Sequence, residues 1–129
     1  MSQGDYRSFT PADRDRMVAV LGKWSSGPTW WSPITAVSET VPGLYVMLDE
    51  LGRIRWMGSA GGRLGVLGRV RSHLNDHGHP WKKTTFDRIV VAPATDQISR
   101  STLRRCEGRA AESMCLDRYL PGHIWPPPR

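Results

Sequence analysis

Gly43-Leu44-Tyr45-Val46-Met47-Leu48-Asp49-Glu50-Leu51-Gly52-Arg53-Ile54-Arg55-Trp56-Met57-Gly58 is the stretch on which the fold turns. Residues 43–49 have the composition of a strand. Asp49-Glu50-Leu51-Gly52 is turn chemistry. Residues 53–57 then place Ile54 and Trp56 between arginines and end at a glycine. Two short apolar runs around such a turn predict an antiparallel hairpin. Downstream, residues 59–63 form a glycine-rich loop. Leu64, Leu67, Val70 and Leu74 share one helical face, predicting a helix over 64–77 that Asp76-His77-Gly78-His79-Pro80 stops. Residues 86–92 are a third strand. Leu103, Cys106, Ala110 and Met114 form one stripe of a helix over 101–120. The tail from Trp125 to Arg129 is expected to be extended and to lie on the surface.

Upstream, Thr10-Pro11-Ala12-Asp13 has the pattern of a helix start: a hydroxyl cap, proline at the first helical position and an acid placed to close a capping box. Met17, Val20, Leu21 and Trp24 continue it, predicting a helix over 11–24. Residues 25–41 show no period and are expected to be an ordered loop packed by Trp30 and Trp31. The expected fold is α+β, a small antiparallel three-stranded sheet flanked by helices. Residues 1–41 would be an N-terminal helical extension, 42–122 the main domain and 123–129 a proline-rich tail.

The chain of 129 residues suits one domain, and 39% apolar with 23% charged residues fits a globular rather than a disordered chain. No apolar run approaches the ~20 residues of a membrane span. The first residues lack the basic and apolar regions of a secretory leader, so none is expected. Two cysteines, both on the last predicted helix, cannot staple a disulfide framework and fit a reducing, cytoplasmic setting. The net charge is +6, and residues 53–109 carry 12 basic and 4 acidic side chains. A basic block in a neutral frame points to a polyanion, with nucleic acid the first candidate and an anionic membrane surface the second.

Chemistry-bearing residues fall in a fixed order along these elements. Gly43, Leu44 and Tyr45 open the first strand. Trp56, Met57 and Gly58 close the second. Arg69 stands on the next helix with His73 four residues on, and Glu107 and Glu112 lie on the last helix. This order, over residues 42–122, resembles the GIY-YIG nuclease superfamily. In that family a Gly-Ile-Tyr strand is followed by a Tyr-Ile-Gly strand, a helix with Arg and then His or Tyr, and a later helix with one Glu. The resemblance implies Mg²⁺-dependent (or Mn²⁺-dependent) hydrolysis of nucleic-acid phosphodiesters, with DNA the first candidate and RNA the second. Tyr45 and His73 would act on the nucleophile side. Arg69 would clamp the phosphate, since a guanidinium matches two phosphate oxygens. One glutamate would bind the metal, which keeps most of its waters. Proline follows Glu112 by nine residues, as in family helices, and favours Glu112. The apolar surroundings of Glu107 (Leu103, Cys106, Ala110, Ala111) favour Glu107. The two lie about 140° apart around a helix and cannot both face one metal.

The sequence departs from the family at Trp56, which stands where a tyrosine is usual and has no ionisable hydroxyl, and at Ser59, where a more basic or polar residue is common. Arg53, Arg55, Arg63, Arg71, Lys82 and Lys83 would track the nucleic-acid backbone. Two other readings use the same residues: a catalytically silent nucleic-acid-binding module on this fold, and a basic protein-interaction subunit docking through Trp30, Trp31 and the tail. His73, His77 and His79 have a spacing that zinc could use.

Overall fold

The computed structural model of the chain describes residues 7–75 and 85–127. Helix α1 runs from Pro11 to Leu21 and a 3₁₀ turn continues it through Trp24. Strand β1 is Trp30–Pro33, β2 Gly43–Leu48 and β3 Ile54–Ala60. Helix α2 is Gly65–Leu74, β4 is Arg88–Pro93 and α3 is Arg100–Ser113.

The sheet is antiparallel, in the order β1-β4-β2-β3. It has four strands rather than three, because Trp30–Pro33 pairs with β4. The expected loop over 25–41 is therefore corrected. Four residues containing a proline carry no alternating signal, and a proline is tolerated here because β1 is an edge strand.

Alternation along β2 sorts the core into two layers. Leu44, Val46 and Leu48 face one way, onto Met17 and Leu21 of α1 and Leu103, Cys106 and Ala110 of α3. Tyr45 and Met47 face the other way, onto Val66 and Val70 of α2. Helices thus cover both faces, and β3 is the edge around which α2 and α3 approach each other. The segment 1–41 contributes both a strand and core side chains to this unit.

The β2–β3 turn is closed by the Gly52 N–H donating to the Asp49 carbonyl, with Gly52 in the left-handed region at φ 77°. Asp49 Oδ1 also accepts from the backbone N–H of Leu51 and Arg53 at 2.9 Å each. The last helix ends at Ser113, not near residue 120. Cys115 and Arg118 adopt positive φ, and the chain folds back so that Leu116 and Trp125 are buried. Trp125 is thus not part of a surface-lying tail. Its N–H donates to the Arg55 carbonyl at 2.8 Å and its indole to the Asp117 carbonyl at 2.9 Å.

The capping box at Thr10 forms as the sequence predicts, and Asp13 does more than cap. Its buried carboxylate accepts from Arg7 at 2.7 and 3.0 Å and from Arg16 at 3.0 Å. Arg7 reaches on to the Met114 carbonyl, tying α1 to the end of α3. Burial pushes the Asp13 carboxyl up, but hydrogen bonds from Arg7 and Thr10 outweigh it and hold the group below the ordinary carboxylate value. Its folded pKa is therefore lower than its unfolded one. The stabilisation is present above the unfolded value of about 3.9 and is lost as pH falls through the folded value. Asp13→Asn is expected to cost about 2 kcal/mol at neutral pH, the scale for removing one partner of a part-buried charged network. Thermal melts from pH 7 to pH 3 should show the gap between variant and wild type closing with acid.

Candidate active site

Tyr45 is the third residue of β2, and its ring lies across β3 opposite Gly58, its cross-strand partner. A Cβ on Gly58 would stand 2.6 Å from the Tyr45 oxygen, so only glycine leaves room for the phenol. Gly43 answers a similar constraint: its Cβ would meet the Ala92 carbonyl oxygen at 2.3 Å. Leu44 and Met57 are core residues facing α1 and α3. The glycines that frame the two sequence motifs are thus packing requirements of the hairpin.

Arg69 and His73 lie one turn apart on α2 and so share a face. His73 is buried and Arg69 is exposed. Tyr45 Oη and His73 Nε2 are 3.0 Å apart. The Trp56 ring stands edge-on to the imidazole with centroids 4.7 Å apart, and Phe86 closes a third side at 6.1 Å. The Trp56 indole lies near enough to the Tyr45 phenol to favour its ionised form. The phenol donates to Nε2 in the tautomer protonated at Nδ1 and accepts from it in the other. Burial pushes the Tyr45 phenol up to about 12, against the Trp56 indole and the charge of Arg69, and with the Glu107 carboxylate adding to the rise. Tyr45 is therefore a phenol, not a phenolate, at neutral pH.

Glu107 reaches the same place from the opposite face of the sheet. Ser59 Oγ donates to Glu107 Oε1 at 2.8 Å. The Tyr119 hydroxyl lies between the Met57 carbonyl, 3.1 Å away, and Glu107 Oε2. Its single proton serves the carboxylate, the stronger acceptor. Burial and the hydrogen bond to Glu107 push the Tyr119 phenol far above its usual value, so it stays a donor. Each Glu107 oxygen keeps a lone pair for a further partner.

These groups line one cavity of about 320 Å³ around the β3 edge, where Tyr45, Trp56, Arg69, His73, Arg104 and Glu107 meet. Glu112 does not enter it: it is exposed on α3, and Glu107 is the carboxylate brought to the other three residues. Proline spacing favoured Glu112, and the structure brings Glu107 to this cavity instead. Pro121 itself lines the cavity, but on chain that has left the helix. Tyr119 was missed, because the expected helix through residue 120 hides the reversal that turns it inward. Ser59, noted only as a departure, holds the carboxylate.

Arg53 and Arg55 are drawn into structure rather than onto an open basic face. Arg53 Nε bonds Asp49 at 2.8 Å, and Arg55 approaches the same carboxylate at 3.9 Å while its Nε donates to the Trp125 carbonyl. Arg63 and Arg71 are exposed. Lys82, Lys83, His77 and His79 lie outside the described residues. Trp30 packs against the core and Trp31 is exposed; both line a second cavity with Phe9, Pro11 and Arg88, apart from the site.

Among the described residues no group of three or more metal-ligating side chains is found. The Glu107 carboxylate suits a different kind of ion. Mg²⁺ is held by one or two carboxylates, with waters and phosphate oxygens completing its shell. Among the described residues no helix is long and apolar enough to cross a membrane. Neither models of protein families nor curated proteins give a match to this chain.

Proposed function

We propose that the chain is an endonuclease of the GIY-YIG type that hydrolyses DNA phosphodiesters at the Tyr45–Arg69–His73–Glu107 cavity, with Mg²⁺ or Mn²⁺. The observation that carries this is the convergence of a phenol–imidazole pair, an arginine and a hydrogen-bonded carboxylate from three elements at one strand edge. A phosphodiester needs those functions: a proton acceptor for the attacking water, a cation for the phosphate and a ligand for a metal.

Water attacks phosphorus beside Tyr45. As its oxygen bonds to phosphorus, its proton passes to the Tyr45 oxygen while the phenol's own proton moves to His73 Nε2. The bond from phosphorus to the leaving ester oxygen breaks, and that oxygen takes a proton from solvent. Arg69 binds two non-bridging oxygens as charge builds on them. Ser59 and Tyr119 hold the Glu107 carboxylate in place as the metal ligand. A bound divalent ion supplies further neutralisation of the phosphate charge. Trp56 cannot take part in proton transfer. Its indole orients Tyr45 and His73, so the usual second tyrosine is dispensable in this scheme.

Because the phenol titrates near 12, the working base is the neutral imidazole. The rate should stay flat between pH 8 and pH 10, since the phenol does not ionise there. Tyr45→Phe should lower kcat about 10²-fold, the lower range for general acid–base catalysis, with DNA binding retained. A wild-type rate that climbs tenfold per pH unit between 8 and 10, and does so only when Tyr45 is present, would make the phenolate the base instead. Binding of DNA without any metal-dependent cutting would favour the silent module instead.

A further inference from the structure

We propose a second phosphate subsite, formed by Arg69, Arg100 and Arg104, that binds the phosphate next to the scissile one on the same strand; this rests on the endonuclease reading above. A cavity of about 250 Å³ lies beside the catalytic one and shares Ser59, Arg69 and Arg104 with it. Arg100 lines only the second cavity. Arg69 comes from α2 and the other two from successive turns of α3, so three guanidinium groups face one concavity from two helices.

Their convergence on one concavity sets these three arginines apart. Arg7 and Arg16 pair with Asp13, Arg53 and Arg55 with Asp49, and Arg88 with Asp87. Among the described residues no carboxylate lies within salt-bridge distance of Arg69, Arg100 or Arg104, and the same is true of Arg14, Arg63, Arg71, Arg105 and Arg109. Converging cations without counter-charges in a concave wall attract an anion, and guanidinium matches phosphate oxygens in pairs. The loop supports this use. Gly61 and Gly62 leave space that the Arg100 side chain fills: a Cβ on Gly61 would meet its Cγ at 3.5 Å, and one on Gly62 its Nη2 at 2.9 Å. Gly61, Gly65 and Gly68 also line the cavity, but Gly65 and Gly68 are glycine for packing: a Cβ on Gly65 would meet the Thr40 carbonyl oxygen at 2.3 Å and one on Gly68 the Leu64 Cβ at 2.8 Å.

The test measures binding of a short single-stranded DNA to the full chain in EDTA over a range of salt, so it does not depend on cutting. Arg100→Ala should weaken binding about tenfold at low salt, as for loss of one charged hydrogen-bonded contact. It should also reduce the slope of log K against log salt by about 0.7, one phosphate's worth. Replacing the neighbouring phosphate by a neutral methylphosphonate should weaken wild type by at least that factor and weaken Arg100→Ala less, since Arg69 and Arg104 alone still hold the phosphate there. An Arg100→Ala slope equal to wild type overturns the subsite. So does an equal loss in Arg105→Ala, on the same helix but outside the cavity, since a diffuse field would then explain binding. Polyglutamate competing as well as DNA would also overturn it, in favour of an acidic protein partner. If Arg100→Ala behaves as expected while wild type never cuts DNA with Mg²⁺ or Mn²⁺, the subsite stands and the endonuclease reading fails.

Discussion

Arg69→Ala is expected to slow metal-dependent DNA cutting about 10³-fold, the lower end of what removing a transition-state arginine costs in phosphoryl transfer. Arg69 is exposed on α2, one turn from buried His73, and its charge reaches the Tyr45 phenol. It buries no core surface, so the variant should melt within about 0.5 kcal/mol of wild type, as surface substitutions do. Ground-state binding to DNA should weaken about tenfold, as for Arg100→Ala, because Arg69 also lines the second cavity; the loss in rate is about a hundredfold larger than that. The loss therefore belongs in kcat, where charge grows on the phosphate oxygens. Arg69→Lys should recover little, since an ammonium cannot engage two oxygens in a fixed fork. A variant whose KM rises while kcat stays would make Arg69 a general binding residue.

Glu107→Gln and Glu112→Gln should differ sharply. Both change one charge to a neutral amide on the same helix. Only Glu107 is buried, held by Ser59 and Tyr119 and facing the cavity. Its amide keeps the shape but offers one acceptor oxygen and no charge to a divalent ion. A loss of at least about 10² in rate is expected, on the scale of removing one preorganised electrostatic partner. Mn²⁺ titration by calorimetry or paramagnetic resonance should show weakened binding to Glu107→Gln and none of that change in Glu112→Gln. Equal loss in both variants would mean that charge on α3, and not position, matters.

The hairpin could be read from residues 43–58 because its signals are local: an apolar run, a turn sequence and glycines at fixed places. The helix start at Thr10 was similarly explicit. What could not be read depends on distant contacts. Trp30–Pro33 becomes a strand only because β4 offers it an edge. The last helix ends early because Cys115 and Arg118 turn left-handed, and neither residue type announces that conformation. Tyr119 followed from the same reversal, so its approach to Glu107 had no sequence signal. For the two glutamates, the local surroundings of Glu107 were the better guide. Apolar neighbours at helical spacing report which face is inward, whereas proline spacing assumed a helix that had already ended. Charge counting over residues 53–109 also overstated the open basic face, because Asp49 engages both Arg53 and Arg55.

The most direct test of the cavity as a nuclease site is supercoiled plasmid incubated with the purified chain in Mg²⁺, in Mn²⁺ and in EDTA, beside Glu107→Gln purified in the same way. Nicked circles that accumulate with either metal, disappear in EDTA and are reduced by at least about 10² in the variant are the expected result. Intact plasmid under every condition, or nicking that Glu107→Gln performs as well as wild type, would contradict it.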